Sequence, residues 1–287
     1  MFFQSYKNVI KNLFRSPLVW LTALLVVGIT IYEASILTYG YYDEALNEMI
    51  FDTDSRFILR FQNYVQHVSN ACTARGLRYQ LPLFAIVTTS LILMRDYGDK
   101  FFEIERAAGM KPSRYVWGRV TALVTVNTIM TFSQCFLSFY WYVFSRGGVE
   151  GMDTLTMLGD SLVRLTRTVT VVTLPAVLFY VAFTYAIGCF CKNWVGASVI
   201  GVAYSQFARL ARTRLASRLP EVYIKYLMPA PQNSRYFFYY YDTEWHDSML
   251  SDFQVTEWDP IICFSLLLCV ILLYLTLSHF CVYRRKL

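Results

Sequence analysis

Residues 95–119 read RDYGDKFFEIERAAGMKPSRYVWGR, a stretch holding six Lys/Arg and four Asp/Glu. On either side lie runs with no charge at all, 79–94 before it and 120–144 after it. The flanks decide the fold class. Over 287 residues the chain is 56% hydrophobic and only 16% charged, well below the ~25% of a soluble domain. A charged island between uncharged runs is therefore read as a loop at a membrane surface.

Working outward, a membrane crossing needs ~20 predominantly apolar residues. Six segments are candidates: 18–37, 79–94, 120–144, 168–190, 194–208 and 261–282. The second and fifth are short, so they need Arg78, Arg95, Lys192 or Arg209 to snorkel, or else are broken or re-entrant. The expected fold is all-α, a polytopic membrane protein of six transmembrane helices forming one domain over 1–287. Residues 38–78 show helical periodicity and are expected to form one or two helices over the outer mouth. The segment 209–259 begins with Arg209, Arg212, Arg214 and Arg218 among Leu and Ala, and is read as extracytoplasmic.

Before the first span, Phe2, Phe3, Tyr6, Val9, Ile10, Leu13 and Phe14 share one side of a helical wheel. Lys7, Lys11 and Arg15 lie on the other, the pattern of a helix lying on an anionic leaflet. Ser16-Pro17 should stop it, so the interfacial helix is expected over 1–16. With six spans, both termini fall on the same side as the island. That side carries thirteen Lys/Arg and four Asp/Glu, the other thirteen and fifteen, the latter mostly in long loops that the positive-inside rule discounts. Both termini and the island are accordingly placed in the cytoplasm.

Several function classes have no motif here. There is no G-x-x-x-x-G-K-[ST] to cradle ATP, no H-E-x-x-H and no G-x-S-x-G. His67, His246 and His279 are scattered, and the seven cysteines give neither a disulfide framework nor a metal set; Cys189-Phe-Cys191 lacks a second pair. No catalytic, metal or cofactor site is assigned to the chain.

Within the island, Asp99 is expected to cap a short helix from Lys100 to Ala108, with Gly109 as its C-terminal glycine and Pro112 beyond. Phe101, Ile104 and Ala108 share one face, Phe102 lies beside them, and Glu103 and Arg106 have ion-pair spacing. So short a helix is unstable alone and must be held by packing. The next helix should start after Pro112 and run through Arg114, Tyr115 and Arg119 into the third span.

Asn12-Leu13-Phe14-Arg15-Ser16-Pro17 ahead of the first span, and the pattern F-x-E-x-x-R-x-x-G-x-x-P-S-x-Y over 101–115, resemble the permease subunits of type-2 ATP-binding-cassette exporters. The resemblance covers the whole chain in topology and rests locally on 98–119. It implies that 98–109 is a coupling helix docking on a separate ATPase, with Gly98, Phe101, Phe102, Glu103, Arg106 and Gly109 as the docking surface. It further implies a second permease copy, ATP and Mg in the partner ATPase, a bacterial plasma membrane, membrane lipids as the surroundings, and no nucleic acid. The implied function is export of a hydrophobic or amphipathic substrate, such as an antimicrobial peptide or a drug. The segment 209–259 departs from the family in being longer and richer in arginine.

Four further residues are candidates for a substrate path. Glu33 is an acid within the first span, costly at a bilayer centre and so expected to face the bundle or the outer interface. Thr166, Thr170 and Thr173 are placed on one face just before Pro175, which should kink the fourth span; helix packing is their other reading. Two other functions suit the same composition. One is a multi-span enzyme acting on lipid-linked substrates; the other is an ion-gradient-driven secondary transporter with Glu33 as coupling carboxylate.

Overall fold

A computed structural model of the chain describes residues 2–36, 40–43, 48–51, 81–145, 163, 166, 170, 173–213 and 259–284. Among these, eight helices are formed: α1 (Phe2–Arg15), α2 (Pro17–Ile36), α3 (Leu81–Gly98), α4 (Phe101–Ala107), α5 (Pro112–Ser145), α6 (Leu174–Cys191), α7 (Trp194–Thr213) and α8 (Asp259–Tyr283). A two-stranded antiparallel hairpin, β1 (Gly40–Asp43) and β2 (Glu48–Phe51), pairs Tyr41 with Ile50 and Tyr42 with Met49. The hairpin corrects the helical expectation at 40–43 and 48–51. Tyr41, Tyr42 and Ile50 have side chains that favour strands, and the helical period read in this segment begins only at Phe57. The remainder of that expected helical region, 52–78, lies outside the described residues, as does most of the segment 209–259.

Among the described residues, three helical stretches are long and apolar enough to cross a membrane: Pro112–Trp141, Leu174–Cys191 and Ile261–Tyr283. A fourth candidate is the pair Phe3–Arg15 and Pro17–Tyr32, bent by 68° at the Ser16-Pro17 junction. The bend falls at the expected stop, and it sets α1 across the end of α2. Helices α3 and α7 do not reach that standard, and they are the two segments whose uncharged lengths were short. Helix α3 carries Arg95 and Asp96 in its last turn, and α7 extends into the arginines at 209 and 212.

The core is organised around α6, which packs against α3, α5, α7 and α8. Its sequence LPAVLFYVAFTYAIGCFC has no charge, and Pro175 lies in the first turn, where its missing N–H costs nothing. The backbone just before it, at Thr170 and Thr173, is π-helical. Phe179 and Phe183 stack on one another and meet Tyr204 of α7 and Tyr274 of α8, with ring centroids 4.8–6.1 Å apart. On the α3 side, a Cβ added at Gly188 would meet the Leu93 side chain, so the helices come this close without a shift of Leu93 because the residue is glycine.

Three consecutive hydroxyls in α3 face inward. Thr88 exchanges hydrogen bonds with Asn127 of α5, whose Nδ2 donates at 3.0 Å. Thr89 is fully buried, and Ser90 accepts from Ser198 of α7 at 2.7 Å. Directional bonds of this kind fix helix registers where apolar contact alone would let them slide.

These contacts also set the helix directions. Trp141 near the end of α5 donates to Ser35 near the end of α2 at 2.8 Å. Asn8 of α1 reaches Glu105 of α4 at the opposite end of the bundle. Helices α2, α5 and α7 run one way and α3, α6 and α8 the other, so α1, α4, the α6–α7 turn and the C-terminus of α8 gather at a single end.

Candidate functional site

The corner where α1, α3, α4 and α5 meet is built on one guanidinium. Arg119, one turn beyond Tyr115 on α5, is only 1% exposed. Its Nε donates to Asp96 Oδ1 at 3.0 Å and Oδ2 at 2.8 Å, and its Nη2 donates to Oδ1 at 2.9 Å. Its Nη1 donates to Ser5 Oγ at 2.6 Å and to Glu105 Oε2 at 3.1 Å. The guanidinium carbon lies 3.6 Å from the centre of the Tyr115 ring, a stacked cation–π contact.

Each helix needs this arginine for a local reason. Asp96 stands in the last turn of α3 and Glu105 near the end of α4, where the negative end of the helix dipole disfavours a carboxylate. On α1, Ser5, Val9 and Leu13 recur every four residues and form the buried stripe, with Ser5 as its one polar member. Asn8 Nδ2 closes the network on Glu105 Oε1 at 3.5 Å. One planar fork thus joins four helices, and a flexible ammonium could not reproduce its geometry.

Helix α4 is shorter than expected, Phe101–Ala107, and it is not capped by Asp99. Lys100 takes the cap position in the left-handed conformation, φ 53°, without a side-chain cap bond. Its carbonyl accepts from the N–H groups of Glu103 and Ile104 at 2.9 and 3.2 Å. The other end follows the sequence reading. Gly109, at φ 83°, donates to Arg106 O at 2.9 Å, and Met110 donates to Glu105 O at 3.1 Å, together a Schellman closure.

The docking residues do not form one surface. Phe102 is 5% exposed, its ring edge-on to Tyr115 at 4.9 Å, so it belongs to the interior. Phe101 and Arg106 are half-buried, the latter 5.9 Å from the Phe102 ring, whereas Gly98, Glu103 and Gly109 are exposed. Ile104, which the sequence placed on the packing face, is 59% exposed. The helix is turned about its axis from the expected face: Phe102 is buried and Glu103 exposed, but the Glu105 carboxylate faces in and Ile104 faces out. Glu105, Asp96, Ser5 and Asn8 were not among the sequence candidates.

Lys7, Lys11 and Arg15 are all exposed along α1, as the wheel required. The apolar side of that helix is divided, however. Val9 and Leu13 pack into the bundle, while Phe3 and Phe14 remain exposed. Glu33 falls near the end of α2, and its side chain lies outside the described residues. Thr166 and Thr170 are exposed, with the Thr170 hydroxyl bonded to the Thr166 carbonyl at 2.8 Å, whereas Thr173 is fully buried. The three threonines therefore differ in exposure, the last one packed inside.

In comparison with known proteins, no family model matches the chain, and no curated protein matches it.

Proposed function

We propose that the chain is the membrane-spanning permease subunit of an ATP-driven exporter, working with a second permease copy and a separate ATPase subunit. The observation that carries this reading is the orientation of helix α4. Its outward face offers Ile104 beside Glu103, and its inward face is tied through Glu105 and Arg119 to α1, α3 and α5. Force applied to the outer face reaches two long helices through charge-assisted bonds rather than through a compliant loop. In this reading six helices span the membrane, the end holding α1 and α4 faces the cytoplasm, and ATP and Mg bind the partner. The exported substrate is hydrophobic or amphipathic.

Co-purification from the native membrane provides the test. Wild-type chain retains an ATPase, and Ile104→Asp or Glu103→Arg loses it while the chain itself stays folded. Phe102→Ala behaves differently, lowering thermal stability by about 3 kcal/mol because it opens a cavity under Tyr115. A chain that purifies without any ATPase and moves substrate under an ion gradient alone would exclude the proposal.

A further inference from the structure

At the same end of the bundle, α5 and α8 leave between them a cavity of about 210 Å³, lined by Val116, Trp117, Leu272, Leu275, Thr276 and His279. Most of this lining is hydrocarbon, with Trp117 about half exposed at the rim. Cations stand at the same end of the two helices, outside the lining itself. Arg114 is exposed one turn before Trp117, and Arg284 follows the end of α8 with its guanidinium 4.3 Å from the Phe280 ring. No carboxylate opposes these cations on either helix: α5 has none, and the single acid of α8, Asp259, lies at its other end. The positive end of the α5 dipole points to the same place.

We infer that this cavity holds one acyl chain of an anionic phospholipid, with the phosphate seated at the rim formed by Arg114, His279 and Arg284. An apolar slot alone would accept any lipid chain; two cations with no acid at this end of their own helices select a headgroup with net negative charge. An indole at the boundary between the apolar slot and the charged rim suits a membrane interface. The inference rests on the chain being embedded in a bilayer and is independent of its being a permease.

The test uses full-length protein in phosphatidylcholine vesicles doped with brominated-chain phosphatidylglycerol or brominated-chain phosphatidylcholine. The contribution of Trp117 to fluorescence is isolated by difference from Trp117→Phe, and Trp20, Trp141 and Trp194, all exposed, report whether the protein is embedded. The expected result is quenching of Trp117 at lower mole fraction by the anionic lipid, by about fivefold for each cation engaged. Arg114→Gln together with Arg284→Gln brings the two lipids to parity at Trp117 and leaves the other tryptophans unchanged. Equal quenching of Trp117 by both lipids in the wild type would overturn the headgroup assignment. Quenching of the other tryptophans but not of Trp117 would show that protein, not lipid, fills the slot. No quenching anywhere would refute the membrane reading itself.

Discussion

Helix α6 buries thirteen of its eighteen residues, nearly all of them apolar or aromatic, whereas α4 buries two of its seven, a phenylalanine and a glutamate. The first is positioned by the sum of many undirected contacts on four sides. The second is positioned by a few directed ones, converging on Arg119. Undirected packing yields gradually to small changes, because neighbouring side chains take up new rotamers. A buried charge network does not: removing one member leaves the others desolvated without a partner. The corner should therefore respond to perturbation as a switch and the core as a cushion.

Replacing Arg119 puts the greatest strain on that contrast. Arg119→Ala leaves Asp96 and Glu105 buried with no cation, and the expected loss is about 3–5 kcal/mol of stability. Thermal unfolding in detergent measures it, and limited proteolysis between α3 and α5 localises it. Arg119→Lys preserves the charge but not the fork, so it should fall between Ala and wild type. Adding Asp96→Asn and Glu105→Gln to Arg119→Ala should recover part of the loss, since the orphaned charges are then gone. An unchanged unfolding temperature for Arg119→Ala would mean the network contributes nothing to holding the corner.

The equivalent probe of the core is Gly188, where an added methyl would fall within the Leu93 side chain. Gly188→Ala should cost about 1–3 kcal/mol as overpacking. Paired with Leu93→Ala, the two changes should be less costly than their separate effects combined, because the second opens the space the first requires. Such non-additivity would show that the α3–α6 approach yields by repacking. Strict additivity would instead place the strain in the backbone.

What could be read from sequence follows the same division. The bundle helices, the stop at Ser16-Pro17, the closure at Gly109 and the charged ends of the second and fifth segments all follow from local chemistry: apolar run length, proline, and a glycine at positive φ. The orientation of α4 does not, because over seven residues the positions of Phe102 and Ile104 differ by a rotation that only tertiary contact fixes. Glu103 and Arg106 stood close enough in sequence to suggest a pair, while Asp96 and Arg119, twenty-three residues apart, did not. One local sign of the site was present. Ser5 lies on the Ser5-Val9-Leu13 stripe of α1, and a polar residue on a buried stripe requires a partner elsewhere.

The smallest expected effects come from two lysines that turn the chain in the same way. Lys100 and Lys192 both have φ 53°, the first leading from α3 into α4 and the second closing α6 before α7. A residue with a Cβ is strained in this conformation and glycine is not, but glycine also loses more backbone freedom on folding. The balance is a gain of about 0.5 kcal/mol for Lys→Gly where the flanking helices are firmly held. At Lys192 the preceding helix is α6, packed on several sides, so Lys192→Gly should raise the unfolding temperature slightly. At Lys100 the following helix is α4, whose few buried side chains leave the turn itself to restrain it. Lys100→Gly should then show no net gain, with faster proteolysis at 98–101 as its sign. Equal stabilisation by both substitutions would mean that the Arg119 network alone holds α4, and that the turn adds nothing to its restraint.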